Sequence, residues 1–340
     1  MFFSLKKRQR DLMSRLKDSE QPREGSECAT RLPQSARDHR SAETAARICP
    51  CGEVAGISSR SGSKRMSQPR EVTQPSRPIP AHPVAIYPPR GQAGEYAPLA
   101  CNPYRGCGHG CVYCYVPAAI KIGRPEFDAG AHPRPDFMKH LLREAARYQA
   151  AGVTEQVMLS FTSDPYHPGH PEGTVLTRET LIVLIEHGFG VCVLSKGGTR
   201  ALRDIYLFRP VRDAYAATLT TLDENFSRKW ERNAPLPSDR IAAMRAFHER
   251  DIYVWTSLEP TLDVEASLAI VRATHPFVDL YKVGRANYCG AITKTTDWRD
   301  YTLRMIDLLG RLGKAHYIKK DLQSFLPPGY HNPMRVPQHH

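Results

Sequence analysis

The sequence predicts an α/β fold built on parallel strands. From Tyr96 onward, short apolar runs of strand length alternate with longer runs of helical spacing, and the alternation continues through six strand-helix units. Gly188 and Gly313 follow two of the helical runs, and Pro237-Ser238-Asp239 opens another, as expected at helix ends. Such alternation needs right-handed crossovers between parallel strands, which gives either a barrel or an open doubly wound sheet.

Each element corresponds to a defined run of residues. The predicted strands are Tyr96–Cys101, Gln156–Phe161, Gly190–Leu194, Asp213–Leu219, Ile252–Leu258, Phe277–Val283 and Ala315–Ile318. The predicted helices are Phe137–Ala151, Thr177–His187, Thr199–Phe208, Ser238–Arg250, Asp263–Ala273 and Asp297–Leu312. In either architecture the loops that follow the carboxyl ends of the strands carry ligand chemistry. Polar residues directly after the strands are therefore candidates for a site.

The composition is that of an ordinary globular protein. Of the 340 residues, 41% are hydrophobic and 24% are charged. No apolar run approaches the roughly 20 residues of a membrane span, so no membrane partner is expected. Nine cysteines are too few for a disulfide scaffold, and the sequence beginning at Met1 turns to charge before an apolar leader develops. We therefore expect a reducing, cytoplasmic setting.

Three segments are predicted along the chain: a disordered basic arm and proline-rich linker over 1–83, a folded domain over 84–326, and a tail over 327–340. Residues 1–80 carry 16 Lys and Arg against 9 Asp and Glu, which is +7 of the total net charge of +12. This composition cannot bury enough apolar surface to fold alone. It also suits a tether to nucleic acid, which is one partner the sequence allows. Synthesis from Met66 instead of Met1 would remove most of the arm.

The strongest local signal is a group of three cysteines after the first predicted strand. Cys107, Cys111 and Cys114 follow a Cys-x3-Cys-x2-Cys pattern, and glycines between and before them let the backbone turn tightly. Soft thiolates this close together favour an iron–sulfur cluster or zinc. Three thiolates leave one iron of a [4Fe–4S] cluster open to another ligand. With His109 as a fourth ligand, the same segment would make a structural zinc site.

The cysteine spacing, with Tyr113 before the last cysteine, resembles the cluster motif of the radical S-adenosylmethionine (radical SAM) superfamily. Further segments resemble its spore photoproduct lyase-like branch, whose members are often called DNA repair photolyases. The resemblance covers about Tyr96 to Ile318 and excludes the arm. The segments that carry it are Asn102-Pro-Tyr-Arg-Gly-Cys107, Cys114-Tyr115, Thr162-Ser-Asp-Pro-Tyr166 and Leu202-Arg-Asp-Ile205.

The resemblance implies a partial (β/α)6 barrel of the TIM type over 84–326. It implies a [4Fe–4S] cluster on Cys107, Cys111 and Cys114, with S-adenosylmethionine bound at the open iron. One electron from a donor such as flavodoxin or ferredoxin would cleave S-adenosylmethionine, and the 5′-deoxyadenosyl radical would abstract hydrogen from a substrate, for this branch a DNA lesion. Such an enzyme is lyase-like, and its specific reaction is open.

The resemblance also suggests roles for polar residues after the strands. Ser163 and Asp164 occupy the place where the superfamily often has a Gly-Gly-Glu segment that holds the methionine amino group. The residues expected to bind the cofactors are Ser163, Asp164, Ser195, Lys196, Thr218 and Glu259. Spore photoproduct lyase needs a cysteine that returns hydrogen to the product, and this chain has none between Cys114 and Cys192. Cys289, beside Tyr288, is the candidate in its place.

Two other functions compete with this interpretation. One is a nucleic-acid-binding protein in which the cysteines hold structural zinc and the basic arm supplies affinity. The other is a non-catalytic iron–sulfur sensor or electron carrier, which needs no enclosed S-adenosylmethionine pocket. The radical SAM interpretation explains both the cysteine spacing and its place in a strand-helix series, and each competitor explains one of the two.

Overall fold

A computed structural model describes residues 84–169 and 175–331. The predicted arm, Met66 and most of the predicted tail lie outside these residues. The strands are β1 (Ile86–Tyr87), β2 (Leu99–Cys101), β3 (Tyr104–Arg105), β4 (His132–Pro133), β5 (Gln156–Leu159), β6 (Gly190–Ser195), β7 (Ala214–Thr218), β8 (Tyr253–Leu258), β9 (Leu280–Val283) and β10 (Ala315–Ile318). In the described part of the chain, eight of them form one sheet in the order β1-β2-β5-β6-β7-β8-β9-β10, and β3 pairs with β4 in a separate ribbon.

The sheet has the topology of a partial barrel. β1 runs antiparallel to β2, and every other neighbouring pair in the sheet is parallel. All seven predicted strands are present, and six strand-helix units lead to β10 as predicted. β1 and β10 are the two edges of the sheet. The carboxyl ends of seven parallel strands therefore meet along one rim.

Alternate residues of the strands face two different cores, as the two-residue period of a strand dictates. One face packs against the helices, with Val157, Val191 and Tyr215 among its buried residues. The other face lines the barrel interior, where a smaller cluster holds Tyr96, Ala97, Met158, Cys192, Ala214, Ala216, Trp255 and Leu280. Cys192 is fully buried in this interior cluster.

The helices are α1 (Val116–Ala119), α2 (Arg124–Asp128), α3 (Phe137–Ala150), α4 (Val175–Glu186), α5 (Glu224–Trp230), α6 (Pro237–His248), α7 (Val264–Thr274), α8 (Ala291–Thr295) and α9 (Trp298–Arg311). Five of the six predicted helices are α-helices within two residues of the expected ends. The sixth, predicted over Thr199–Phe208, is instead a 3-10 segment over Gly198–Leu207. No described helix is both long and apolar enough to cross a membrane.

Glu144 on α3 anchors the first strand. It lies on the buried face of the helix, together with Phe137, Leu141 and Tyr148. Its carboxylate accepts hydrogen bonds from three successive backbone N–H groups, Val84 to Ile86, at 2.8–2.9 Å. A buried carboxylate needs such partners, and here they hold the edge of the sheet against the helix layer.

Candidate active site

A cavity of about 430 Å³ opens at the carboxyl ends of the strands. Every residue that the sequence predicted for cluster, cofactor or hydrogen transfer lines it. These residues are Cys107, Cys111, Cys114, Ser163, Asp164, Ser195, Lys196, Thr218, Glu259, Tyr288 and Cys289. Thr220, two residues after the end of β7, is buried and does not line the cavity.

The cysteine loop is held through its backbone by residues distant in sequence. The N–H of Cys107 donates to Phe127 O at 2.8 Å, and the N–H of Val112 donates to Trp230 O at 2.8 Å. Asn233 donates its side-chain amide to Gly108 O at 3.0 Å. The Arg124 guanidinium donates to the carbonyls of Cys111 and Cys114. The backbone of the loop is thus fixed while its thiols stay available.

Two glycines allow the loop to pack this closely. Gly106 has φ of +85°, and a Cβ at this position would lie 2.2 Å from Gly130 O. A Cβ at Gly108 would lie 2.9 Å from Pro168 O. Only residues without a Cβ fit these two positions.

Asp164 organises the loops that follow β5 and β6. Its Oδ1 accepts from Ser195 Oγ at 2.6 Å and from the N–H of Tyr166 at 2.8 Å, and its Oδ2 accepts from the N–H of Lys196 at 2.7 Å. Burial opposes its ionisation, but the neighbouring His109 and these hydrogen bonds outweigh burial and hold the pKa of Asp164 below its usual value. Asp164 is therefore a carboxylate on the cavity wall.

His109 lies between the cysteines and Asp164. Its Nδ1 is 3.5 Å from Asp164 Oδ2, and the side chain is 2% exposed. Burial lowers the pKa of His109 to about 4, so the imidazole is neutral at pH 7. The buried Nε2 has no hydrogen-bond partner among the described residues, and neither has the buried Ser163 Oγ.

A buried ion pair contacts the cysteine loop and stabilises it. Arg240 and Glu231 are fully buried, with 2.6 Å between Nη2 and Oε2. Tyr113 donates its hydroxyl to Glu231, and Cys111 forms an isolated β-bridge with the same residue. The ammonium of Lys196 lies 5.5 Å from the centre of the Tyr113 ring. Sequence reasoning missed Glu231, which directly follows α5, and Arg240 on α6, because neither lies on a loop that follows a strand.

A second polar group lies on the cavity wall after β8 and β10. Lys319 forms an ion pair with Glu259, and Tyr96 donates its hydroxyl to Glu259 Oε2 at 2.7 Å. Burial alone would lower the pKa of Lys319, but Tyr96 and Glu259 raise it well above its ordinary value, so Lys319 is charged. Ser257 contacts the Tyr96 hydroxyl at 3.2 Å. Lys319 was missed, although it directly follows a predicted strand.

Two exposed tyrosines lie beside Cys289 at the cavity wall. Tyr115 and Tyr288 are 49% and 75% exposed, and their rings lie 6.3 Å apart with an interplanar angle of 30°. Burial raises the pKa of the Cys289 thiol, which keeps it protonated at neutral pH. Arg285 and Asn287, which follow β9, also line the cavity and bond to each other at 2.9 Å.

The grouping of ligands bears on the zinc alternative. Within residues 84–169 and 175–331, no three His, Cys, Asp or Glu side chains are placed for a single metal ion. The imidazole of His109 faces Asp164 at 3.5 Å. In an iron–sulfur cluster each cysteine binds a different iron, so its thiolates need not converge on one point. The geometry gives no support to a structural zinc site.

Comparison with protein families identifies the chain. The model of the radical SAM superfamily matches residues 101–273, just over half of the chain. The chain belongs to the radical SAM superfamily. No curated protein sequence matches it significantly.

Several solved structures share the fold at low sequence identity. SuiB from Streptococcus suis, bound to S-adenosylmethionine, is 14% identical with a TM-score of 0.51 over 67% of this chain and 52% of SuiB. A cysteine-to-serine mutant of spore photoproduct lyase is 9% identical with a TM-score of 0.54 over 70% of this chain and 79% of the lyase. The same lyase complexed with dinucleoside spore photoproduct is 10% identical with a TM-score of 0.52. The chain spans about half the length of SuiB, and at these identities the likeness concerns the fold alone.

Membership of the superfamily implies a [4Fe–4S] cluster and S-adenosylmethionine as cofactors. The residues present fit these groups. The three loop cysteines are free and line one cavity, and the cavity wall carries a carboxylate and unpartnered polar atoms. Burial raises the pKa of Cys111 to about 12 and raises that of Cys107 further. Buried thiols of this kind ionise when they bind a metal.

Proposed function

We propose that Cys107, Cys111 and Cys114 bind the [4Fe–4S] cluster and that this enzyme uses S-adenosylmethionine to abstract hydrogen from a substrate. The observation that carries the proposal is that the three cysteines and all six polar residues expected to bind cofactors line one cavity at the carboxyl ends of parallel strands. Neither a sensor nor a zinc-based scaffold needs this convergence of polar side chains around the thiols.

When bound and reduced, the cluster supplies one electron that breaks a sulfonium C–S bond of S-adenosylmethionine and yields a 5′-deoxyadenosyl radical. The protein residues bind and orient. Asp164, ionised at neutral pH, offers negative charge to the methionine amino group. Ser195, the last residue of β6, and Lys196 after it bind the methionine carboxylate and the ribose. Thr218, the last residue of β7, extends the same wall.

Glu259 is proposed to contact the cofactor or the substrate through a carboxylate whose position is already fixed by its neighbours. Its Oε2 accepts from Tyr96, and Lys319 neutralises its charge. Asn287 lies 3.5 Å from its other oxygen and donates to Asp321 at 2.7 Å. A carboxylate held on several sides keeps its orientation without reorganisation during a reaction.

Cys289 is proposed as the donor that returns hydrogen to the substrate radical. Its S–H bond breaks, the hydrogen atom passes to the carbon radical, and the sulfur keeps the unpaired electron. The raised pKa favours this role because the transfer needs a thiol rather than a thiolate. Tyr288, its neighbour in sequence, stands next to Tyr115 and is proposed to assist the transfer.

The electron donor is proposed to be a low-potential carrier such as flavodoxin or ferredoxin. Val112, between two of the cysteines, is 44% exposed, so the cysteine loop reaches the surface there. A donor that docks at this point would be separated from the thiols by little protein.

Nucleic acid is the proposed substrate class, with a base lesion as the reacting group. Two features support it: the resemblance to the spore photoproduct lyase-like branch, and the exposed Tyr115 and Tyr288 rings, which suit stacking with unpaired bases. Tyr288→Ala should weaken binding of a single-stranded oligothymidylate about fivefold or more. Tyr206→Ala is the control, since Tyr206 is 41% exposed but packs on Arg178 away from the cavity lining. Equal affinity of both variants and the unaltered protein would argue against this substrate.

The ligand assignment is tested by iron and sulfide content after anaerobic reconstitution. Cys111→Ala should lose the cluster, because two thiolates do not hold it. Cys101→Ala should keep it, because Cys101 is buried in β2 and does not line the cavity. Full iron and sulfide in Cys111→Ala would refute the assignment.

A further inference from the structure

The carboxylate of Asp164 has little capacity left for a ligand. Its two oxygens offer about four acceptor positions. Three are taken by Ser195 Oγ and by the N–H groups of Tyr166 and Lys196, and His109 Nδ1 stands 3.5 Å from Oδ2. An amino group brought to this place has two or three N–H bonds to satisfy, so Asp164 alone does not satisfy it.

Two further polar atoms beside Asp164 lack partners. Among the buried side-chain oxygens and nitrogens without a hydrogen bond in the described residues, those that belong to cavity-lining residues are His109 Nε2 and Ser163 Oγ. Ser163 precedes Asp164 in sequence, and His109 contacts its carboxylate. Buried polar atoms normally have a hydrogen-bond partner, so two unpartnered atoms from residues on the same wall of the cavity indicate a ligand.

The position of the imidazole proton determines what His109 offers. An ordinary imidazole carries one proton at pH 7, and here that proton lies on Nδ1, because the neighbouring Asp164 Oδ2 is an acceptor. Nε2 is then left with a lone pair and no proton. It can accept a hydrogen bond, and it has none to donate.

We infer that His109 Nε2 accepts a hydrogen bond from the amino group of S-adenosylmethionine, next to Asp164 and Ser163. The inference rests on the proposed function, because it needs the cofactor to bind in this cavity. It adds to the cofactor site a residue from inside the cysteine loop, where sequence reasoning considered His109 only as a zinc ligand. His109 thereby links the loop that carries the thiols with the loop that receives the amino group.

Two substitutions separate this role from a structural one. The amide nitrogen of His109→Asn can occupy the place of Nδ1 and keep the contact with Asp164, but the side chain is too short to reach the Nε2 position. The longer side chain of His109→Gln brings an amide oxygen to the Nε2 position and so restores an acceptor. Anaerobic titration calorimetry of the reconstituted proteins would use S-adenosylmethionine and its analogue that lacks the amino group.

The inference predicts that His109→Asn weakens S-adenosylmethionine binding about three- to tenfold, the range of one hydrogen bond. His109→Gln should retain most of the affinity, and the deaminated analogue should bind all three proteins equally. Iron content should not change. Unaltered affinity in His109→Asn, equal weakening of both ligands, or loss of the cluster from both variants would overturn the inference. If the unsubstituted protein, with its cluster in place, bound no S-adenosylmethionine, the proposed function itself would fail.

Discussion

Gly106 offers a sharp test of how the cysteine loop is built. An alanine Cβ there would lie 2.2 Å from Gly130 O and 3.3 Å from Phe127 O. The backbone would have to separate by about 0.8 Å to reach an acceptable contact, and such overpacking costs about 1–3 kcal/mol. The left-handed φ of +85° adds about 1–2 kcal/mol, partly offset by about 0.4–1 kcal/mol from the stiffer unfolded chain.

Gly106→Ala should therefore destabilise the protein by about 2–4 kcal/mol, which lowers Tm by about 5–15 °C for a domain of this size. Because the N–H of Cys107 donates to Phe127 O, the shift also moves the first cysteine. We expect lower iron and sulfide content after reconstitution. Thermal unfolding by circular dichroism and iron analysis measure the two effects.

Gly91→Ala is the matched control. Gly91 has φ of +61°, but nothing lies within 4 Å of its Cβ position. This variant bears the conformational cost alone, so its Tm should fall by no more than about 5 °C and its iron content should not change. If Gly106→Ala had the same Tm and the same iron content as Gly91→Ala, the close packing of the loop against Gly130 would be refuted.

Further predictions concern the support of the loop and the return of hydrogen. Arg240→Met leaves the Glu231 carboxylate buried without its partner and should lower the free energy of unfolding by about 3–5 kcal/mol in urea denaturation, whereas Arg304→Met at the surface should have little effect. Burial raises the pKa of Glu231, but Arg240 outweighs burial and holds it below 4.5, so the stability from this pair is complete above pH 4.5 and is lost as pH falls through the lower folded value. With a substrate that turns over in deuterated water, Cys289→Ala should stop deuterium incorporation into the product, and Cys192→Ala, buried inside the barrel, should not. Incorporation that persists without the Cys289 thiol would exclude that donor.

The order of strands and helices could be predicted because apolar spacing reports burial directly, but element ends depend on hydrogen bonds that spacing does not contain. The first predicted strand begins at Tyr96, yet β2 begins at Leu99 because the carbonyl of Tyr96 accepts from the buried Lys282 ammonium at 2.9 Å. Phe277 and Val278 precede β9 because their N–H groups still donate to Thr274 O at the end of α7.

The 3-10 segment Gly198–Leu207 was predicted as an ordinary helix for a similar reason. Its apolar residues have helical spacing, and spacing does not distinguish the two kinds of helix. Gly198 has φ of +57°, and a Cβ there would lie 1.8 Å from Asp239 Oδ2. Asp204 is fully buried and bonded to Arg178 and Tyr166. These contacts with α4 and α6 decide the local geometry.

Most of the candidate site was predictable because its residues lie at or just after the ends of strands. Parallel strands end at one rim, so Asp164, Ser195 and Glu259 were expected together before any geometry was known. Lys319 lies in a run of two lysines that resembles a solvated surface, and only its pairing with Glu259 explains its burial. Glu231 could not be found from sequence, because it lies just after α5 and its partner Arg240 lies on α6.

The central claim is that this chain cleaves S-adenosylmethionine with a cluster held by the three loop cysteines. The most direct measurement is anaerobic reconstitution with iron and sulfide, reduction with dithionite, addition of S-adenosylmethionine, and chromatography for 5′-deoxyadenosine. The triple alanine variant of Cys107, Cys111 and Cys114 is the control. We predict 5′-deoxyadenosine from the unaltered protein and none from the variant. A protein that binds its cluster and forms no 5′-deoxyadenosine, or a variant that forms as much, would contradict the claim.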